Sequence, residues 1–256
     1  MVAAEDLAHR NGAVAMRSHD VETMCRIYGA RPETTEALVA LARETKARGW
    51  WHEYGDSIAA GFQLYIGLES VASRMREYAP ELIPGLLQTK AYATELFTVQ
   101  SATAPEPERD RWTAVRLQRQ NVLIRRLPPP PHLDVVINEH VLRQPPQDRS
   151  SMEGQLDHLA AMTDLPNVTI RVVPIGTPIH SAAGFGAFAI FDFPNAGSRE
   201  AEPSTVFRDG FTVGQYTDRT AEVEKYAAAW NGLEGIALGV GESRILIKAV
   251  AEEHAP

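Results

Sequence analysis

Cysteine is nearly missing from this chain: Cys25 is the one cysteine in 256 residues. A disulfide framework and any cysteine-rich zinc site are thereby excluded, and a reducing, cytoplasmic setting fits. Long apolar runs are also missing. None approaches the roughly 20 residues that span a bilayer, and the opening MVAAEDLAHR lacks the apolar core of a secretory signal. A membrane role is therefore not expected. Surplus positive charge is absent too: 25 Lys and Arg stand against 33 Asp and Glu, a net charge of -8. Neutralising phosphates needs a basic face, so this balance speaks against a dedicated nucleic-acid binder.

Motifs for cofactor or metal chemistry are equally scarce. There is no HExxH pair, EF-hand loop or G-x-S-x-G elbow. The GFGAFA stretch at Gly184 imitates a dinucleotide fingerprint, but it lacks the third glycine and leads into a strand pattern instead of a helix. No cofactor and no metal are expected. Glu139 and His140 are adjacent, so on a continuing strand they would point to opposite faces.

What is present begins with helical signals. Val21, Met24, Cys25, Ile27 and Tyr28 recur at helical spacing after a cap at Ser18, and Gly29 closes the run. A Pro-started helix follows from Pro32 to Gly49. What precedes Gly12 is too short for the paired helices of a DNA reader, so these residues read as a remnant that caps the domain behind them. From Trp50 onward, Ile58, Phe62, Tyr65, Glu69, Ala72 and Arg76 step by three or four along one helix face, with a break at Pro80. Glu69 thus sits on an apolar stripe, where a carboxylate must be paired or take up a proton.

The basic residues concentrate between Glu108 and Leu127, where one predicted helix carries Arg109, Arg111, Arg116, Arg119, Arg125 and Arg126. Neighbouring segments add no further basic residues, so Arg116 or Arg119 is expected to reach inward to a carboxylate such as Glu69 while the others stay in water. After Pro128 to Pro131 the texture changes. HLDVVIN and VTIRVVPI alternate as strands, AFAIFDF, TVFRD and FTVGQYT follow as shorter ones, Ser150 and Glu153 form a capping box, and a long helix starts near Thr220. The expected fold class is α+β, an N-terminal helical subdomain followed by a mixed, mostly antiparallel sheet flanked by helices. The boundaries read 1–49 for the remnant, 50–127 for the helical subdomain and 128–256 for the α+β subdomain, the last two packed as one ligand-binding unit.

Several stretches together carry a resemblance. Trp50 and Trp51, then FQLYIGLESVASRMREYAPELIPGLLQTKAYA, VRLQRQ, VINEHVLR and LPNVTIRVVPI are similar to the C-terminal domain of actinobacterial Xre-family helix-turn-helix transcriptional regulators, in which a ligand-sensing or partner-binding domain follows a DNA-binding one. The likeness runs from about Ser18 onward, and LIPGLLQT is its most distinctive part. AHRNGAV resembles the end of a recognition helix, so the DNA-binding half reads as truncated. Two departures are Ala79, where an acidic residue is usual before the proline, and VFRDGFTVGQY, where a tyrosine and a glutamate are common.

The resemblance implies a sensor that binds a small molecule in an internal pocket, with a small partner protein or a second copy of the chain as further partners and no specific DNA binding by this chain alone. Tyr65, Tyr92, Phe185 and Phe188 are the expected pocket walls, with Glu69, Gln88, Arg116, Glu139 and His180 as polar anchors; His180 lies in the glycine-flanked loop GTPIHSAAGFG. The alternative is a former effector pocket turned to cofactor-independent cyclase or isomerase chemistry in natural-product biosynthesis, with Glu69 as the catalytic acid or base.

Overall fold

A computed structural model describes residues 22, 23, 25, 26, 35, 50, 51, 54, 58, 60–144, 149–194, 202–208 and 214–254. The chain divides into two compact units, Met1–Gly55 and Asp56–Pro256. In the first, Glu22, Thr23, Cys25, Arg26 and Thr35 are helical and Cys25 is buried. Trp50 meets Trp51 and Tyr54 edge to face, each at 6.0 Å. The AHRNGAV remnant, the Ser18 cap and nearly all of the Pro32 helix lie outside the described residues.

The second unit is α+β. Its strands are β1 (Arg74–Ala79), β2 (His132–Asn138), β3 (Val168–Val173), β4 (Phe188–Asp192), β5 (Thr205–Arg208) and β6 (Gln215–Thr217). They form one sheet in the order β3-β2-β1-β4-β5-β6. The β1–β2 and β2–β3 pairs are parallel, and β1–β4, β4–β5 and β5–β6 are antiparallel. The helices are α1 (Ala60–Val71), α2 (Lys90–Gln100), α3 (Glu106–Arg119), α4 (Glu139–Leu142), α5 (Arg149–Met162), α6 (Thr220–Ile236) and α7 (Val240–His254). No described helix is long and apolar enough to cross a membrane.

The sheet separates two cores. On one face Met75, Leu133, Val135, Ile137, Ile170, Val172 and Phe191 pack beneath α1, α2, α5 and α7, through Tyr65, Tyr92, Leu156, Leu159, Ile247 and Val250. On the other, Tyr78, Val136, Val173, Phe188, Ile190 and Val206 meet Ala229, Trp230 and Leu233 of α6 and Ala182 of the loop after β3. Burial on both faces explains why β2 and β4 read as nearly unbroken apolar runs. Each fully buried Leu, Ile or Phe contributes about 1.5–3 kcal/mol.

Three local expectations are corrected. The helix of the Ile58 to Arg76 stripe ends at Val71, and RMREYA forms β1, the strand between β2 and β4; Arg76 is therefore not on the face of Glu69. A strand inside the stretch 50–127 thus belongs to the same sheet as those of 128–256. The charges that hide this strand pair across it: Arg74 binds Asp134 of β2 at 2.7 Å, and Arg76 binds both carboxylate oxygens of Asp192 of β4 at 3.0 Å. The basic helix stops at Arg119 and continues as a 3-10 turn, Gln120–Leu123, so Arg125 and Arg126 lie beyond it. Helix α5 already includes Arg149 and Ser150, so Ser150 is not its cap.

Candidate functional site

Two polar constellations arise, one under the helices and one at the strand ends. In the first, Glu69 projects from α1 into the core, and a bare carboxylate there would be costly. Arg119, in the last turn of α3, meets it with two parallel hydrogen bonds, Nε to Oε2 at 2.8 Å and Nη2 to Oε1 at 2.6 Å; both side chains are almost fully buried. The guanidinium also lies over the Phe62 ring at 4.8 Å and the Tyr65 ring at 5.2 Å. Burial disfavours its charge, but the adjacent Glu69 carboxylate outweighs this and holds the Arg119 pKa above its ordinary value.

One turn earlier, Arg116 donates to Gln88 Oε1 at 2.6 Å, Gln88 Nε2 donates to the Ile83 carbonyl at 2.7 Å, and Gln120 Nε2 donates to the Gln88 carbonyl at 2.6 Å. Burial, and then the nearby Arg119 charge, draw Arg116 down to about 10. Tyr92 accepts from the Ile83 N–H at 3.3 Å. Gln155 of α5 closes the other side, accepting from the Thr89 N–H and donating to the Leu87 carbonyl, each at 2.7 Å. The LIPGLLQT segment is therefore a plug whose side-chain and backbone polar groups are tied to α3 and α5. Gly85 matters here because a Cβ would sit 3.2 Å from Arg116 Cδ. Satisfied networks of this kind hold elements in register and leave little capacity for a ligand.

One group in this cluster stands outside the bonded network. Glu77 of β1 points to the same face as Met75 and Ala79, keeps partial exposure, and has no hydrogen-bond partner among the described residues. Burial, reinforced by the Glu69 charge, pushes its pKa up to about 7 against the Arg119 and Arg116 charges. A period-2 reading of RMREYA would have found it; the helical reading hid it. Between pH about 4.5, the ordinary value, and about 7, the folded chain holds a proton that the unfolded chain has lost. Stability therefore falls as pH rises across that window. Denaturant midpoints at pH 5 and pH 8 should differ in this sense in the wild type, and Glu77→Gln should shrink the difference.

The second constellation follows from the path of the chain. Leaving β2, it turns through α4 toward the α5 face, where Val141, Leu142 and Met152 are buried. Leaving β3, it crosses to the α6 face, where Ala182 and Phe185 pack. Two neighbouring parallel strands whose exits diverge leave a gap outside their carboxyl ends, the place where open α/β sheets bind ligands. A crevice of about 380 Å³ lies there, lined by Asn138, Glu139, His140, Val173, Pro174, Ile175, Gly176, Thr177 and His180. Its size falls within the usual range for small-molecule sites.

Its rim is held by specific bonds. Glu139 Oε2 accepts from the Ile175 N–H at 2.9 Å, and Oε1 accepts from Arg143 at 2.8 Å. Burial opposes ionisation, but these two bonds outweigh it and lower the Glu139 pKa below the carboxylate norm. Tyr78 donates to Asn138 Oδ1 at 3.3 Å. The Pro174–Thr177 turn closes with the Thr177 N–H bonded to the Pro174 carbonyl at 3.2 Å, and Gly176 takes φ +88°, a conformation that favours glycine. His180 stands edge to face on Tyr78 at 6.3 Å, and its Nδ1 is buried with no partner among the described residues.

The nine expected site residues therefore do not share one pocket. Tyr65, Glu69, Gln88, Tyr92 and Arg116 belong to the interlocked face, whereas Phe185 and Phe188 pack with Tyr226 on the opposite one, at 5.0 and 5.1 Å. Glu139 and His180 line the crevice. His140 joins them, contrary to the strand-based expectation, because β2 ends at Asn138 and a helical turn replaces the two-residue alternation. Asn138 and the Pro174–Thr177 turn were missed; the readable signal was a strand ending in Pro-Ile-Gly-Thr.

Among known families, the model for a domain of unknown function (DUF5753) matches residues 62–249, which include all six described strands. Comparison with curated proteins and with solved structures gives no match in either case.

Proposed function

The chain belongs to the DUF5753 family, and from that premise we propose that it is a small-molecule-sensing protein related to Xre-type regulators, with the crevice at the ends of β2 and β3 as its effector site. One observation carries this reading: the exits of two adjacent parallel strands diverge and leave an accessible crevice whose polar groups converge from three segments, Asn138 to His140, the turn after β3, and His180. Binding there would bridge the α4 exit and the 174–187 loop, so occupancy would be transmitted to whatever contacts either. The test is a thermal-shift screen of the full chain against a metabolite collection. A sensor ligand should raise Tm without being consumed, by the equivalent of about 2.7 kcal/mol at one hundred times its Kd. His180→Ala should lower the ligand-free Tm only slightly, because it gives up the ring contact with Tyr78 but no hydrogen bond of the buried Nδ1, and should remove most of the ligand-induced rise. A hit that stabilises the variant equally would refute the crevice as the site.

A second reading, a cofactor-independent proton-transfer enzyme, is favoured by Glu77. Both oxygens of Glu69 are engaged by Arg119, which suits it to a structural role, whereas Glu77 is unpartnered among the described residues and titrates near neutrality. Loss of turnover in a folded Glu77→Gln protein would support that reading; unchanged turnover would remove Glu77 from it.

A further inference from the structure

We infer that the crevice is built for an amine with an apolar body, a choice of ligand class that rests on the sensing role proposed above. The charge comes first. Among the described residues, Glu139 is the crevice's carboxylate and no lysine or arginine lines it. Each Glu139 oxygen accepts one bond, from Ile175 or Arg143, so lone pairs remain for a further donor. Arg143 does not cancel this charge, because it also pairs with Glu253 of α7. Two carboxylates sharing one guanidinium leave a net charge of about -1 beside the cavity, which attracts an ammonium group and repels a carboxylate or phosphate.

The walls supply the second half. Val173, Pro174 and Ile175 form an apolar side of the crevice. Ile175 remains 62% exposed, and Ile179, beside the lining His180, is 97% exposed. Scattered surface isoleucines are ordinary, but an exposed one that lines a crevice, as Ile175 does, offers cover to an apolar ligand body. A third element adds polarity: Asn138 accepts from Tyr78 through Oδ1, and its amide N–H groups have no partner among the described residues, so they can donate to an acceptor on the ligand. A carboxylate-bearing end, an apolar wall and a spare amide donor together select an amphiphilic amine.

Three probes of matched skeleton test this on the full chain by calorimetric titration at low salt: phenethylamine, 2-phenylethanol and 3-phenylpropionate. Phenethylamine should bind roughly ten-fold more tightly than the other two, the scale of one charge-assisted hydrogen bond. Glu139→Gln should reduce that preference to within about three-fold. Because Glu139 also holds the Ile175 N–H, Arg143→Gln is the companion variant: removing the cation should preserve or strengthen the preference for phenethylamine. Tighter binding of 3-phenylpropionate or 2-phenylethanol, lost in His180→Ala, would overturn the amine assignment while leaving the crevice as the effector site. Absence of binding by all three, together with a metabolite screen free of His180-dependent hits, would overturn both.

Discussion

Arg119→Ala should destabilise the second unit by about 3–5 kcal/mol, because it strands the Glu69 carboxylate in the core. The loss does not measure the net worth of the pair. Taking both charges out of water consumes most of what their attraction returns, so Glu69→Leu combined with Arg119→Leu should recover much of the stability. Urea unfolding of the two singles and the double decides this, the coupling being read as departure from additivity. Arg119→Lys should recover little, since an ammonium cannot reproduce the two parallel bonds or the stacking on Phe62 and Tyr65. Singles that cost less than 1 kcal/mol would mean that Glu69 is solvated or protonated in the folded chain, against the geometry described above.

Trp230→Ala should cost about 3–5 kcal/mol, for a different reason. Trp230 is 1% exposed and anchors α6 to the Tyr78, Val136, Phe188 and Ile190 face. Its indole N–H has no acceptor among the described residues, so the ring contributes through packing alone. Trp230→Phe should accordingly cost far less than the alanine change, since it removes the orphan donor together with part of the volume. The same core holds Ala182, two residues after His180, and a Cβ added at Gly232 of α6 would meet Ser181 Oγ at 2.3 Å. Loosening α6 should therefore also loosen the loop bordering the crevice, seen as faster amide exchange over residues 174–187 in Trp230→Ala than in Trp230→Phe.

The contrast between β1 and β2 shows what the sequence makes legible. Leu133, Val135 and Ile137 announce β2 by their two-residue alternation of apolar side chains. RMREYA carries three charged residues in six and continues a helical spacing from Ile58, yet it is a central strand. Its two arginines are paired by Asp134 and Asp192, residues 60 and 116 positions away, and no local pattern records such partners. Pairing of Glu69 with Arg119 was readable, because a carboxylate on an apolar stripe demands a cation and one predicted helix was rich in arginine. The site was readable only in part. Polar and aromatic types marked Glu139, His180 and Phe188 as chemically interesting, but residue type does not say which face of a sheet a side chain joins. Tyr65 and Phe185 were accordingly placed together although their cores lie on opposite faces. The crevice depends on where two strands exit, a property of topology.

The most direct test is amide chemical-shift mapping of the full chain titrated with a ligand from the thermal-shift screen. Perturbations confined to residues 138–140 and 173–180 are the expected result. Perturbations centred on the α1 and α3 residues around Glu69 and Arg119, with the strand ends unmoved, would contradict the assignment of the crevice as the place where this protein meets its effector.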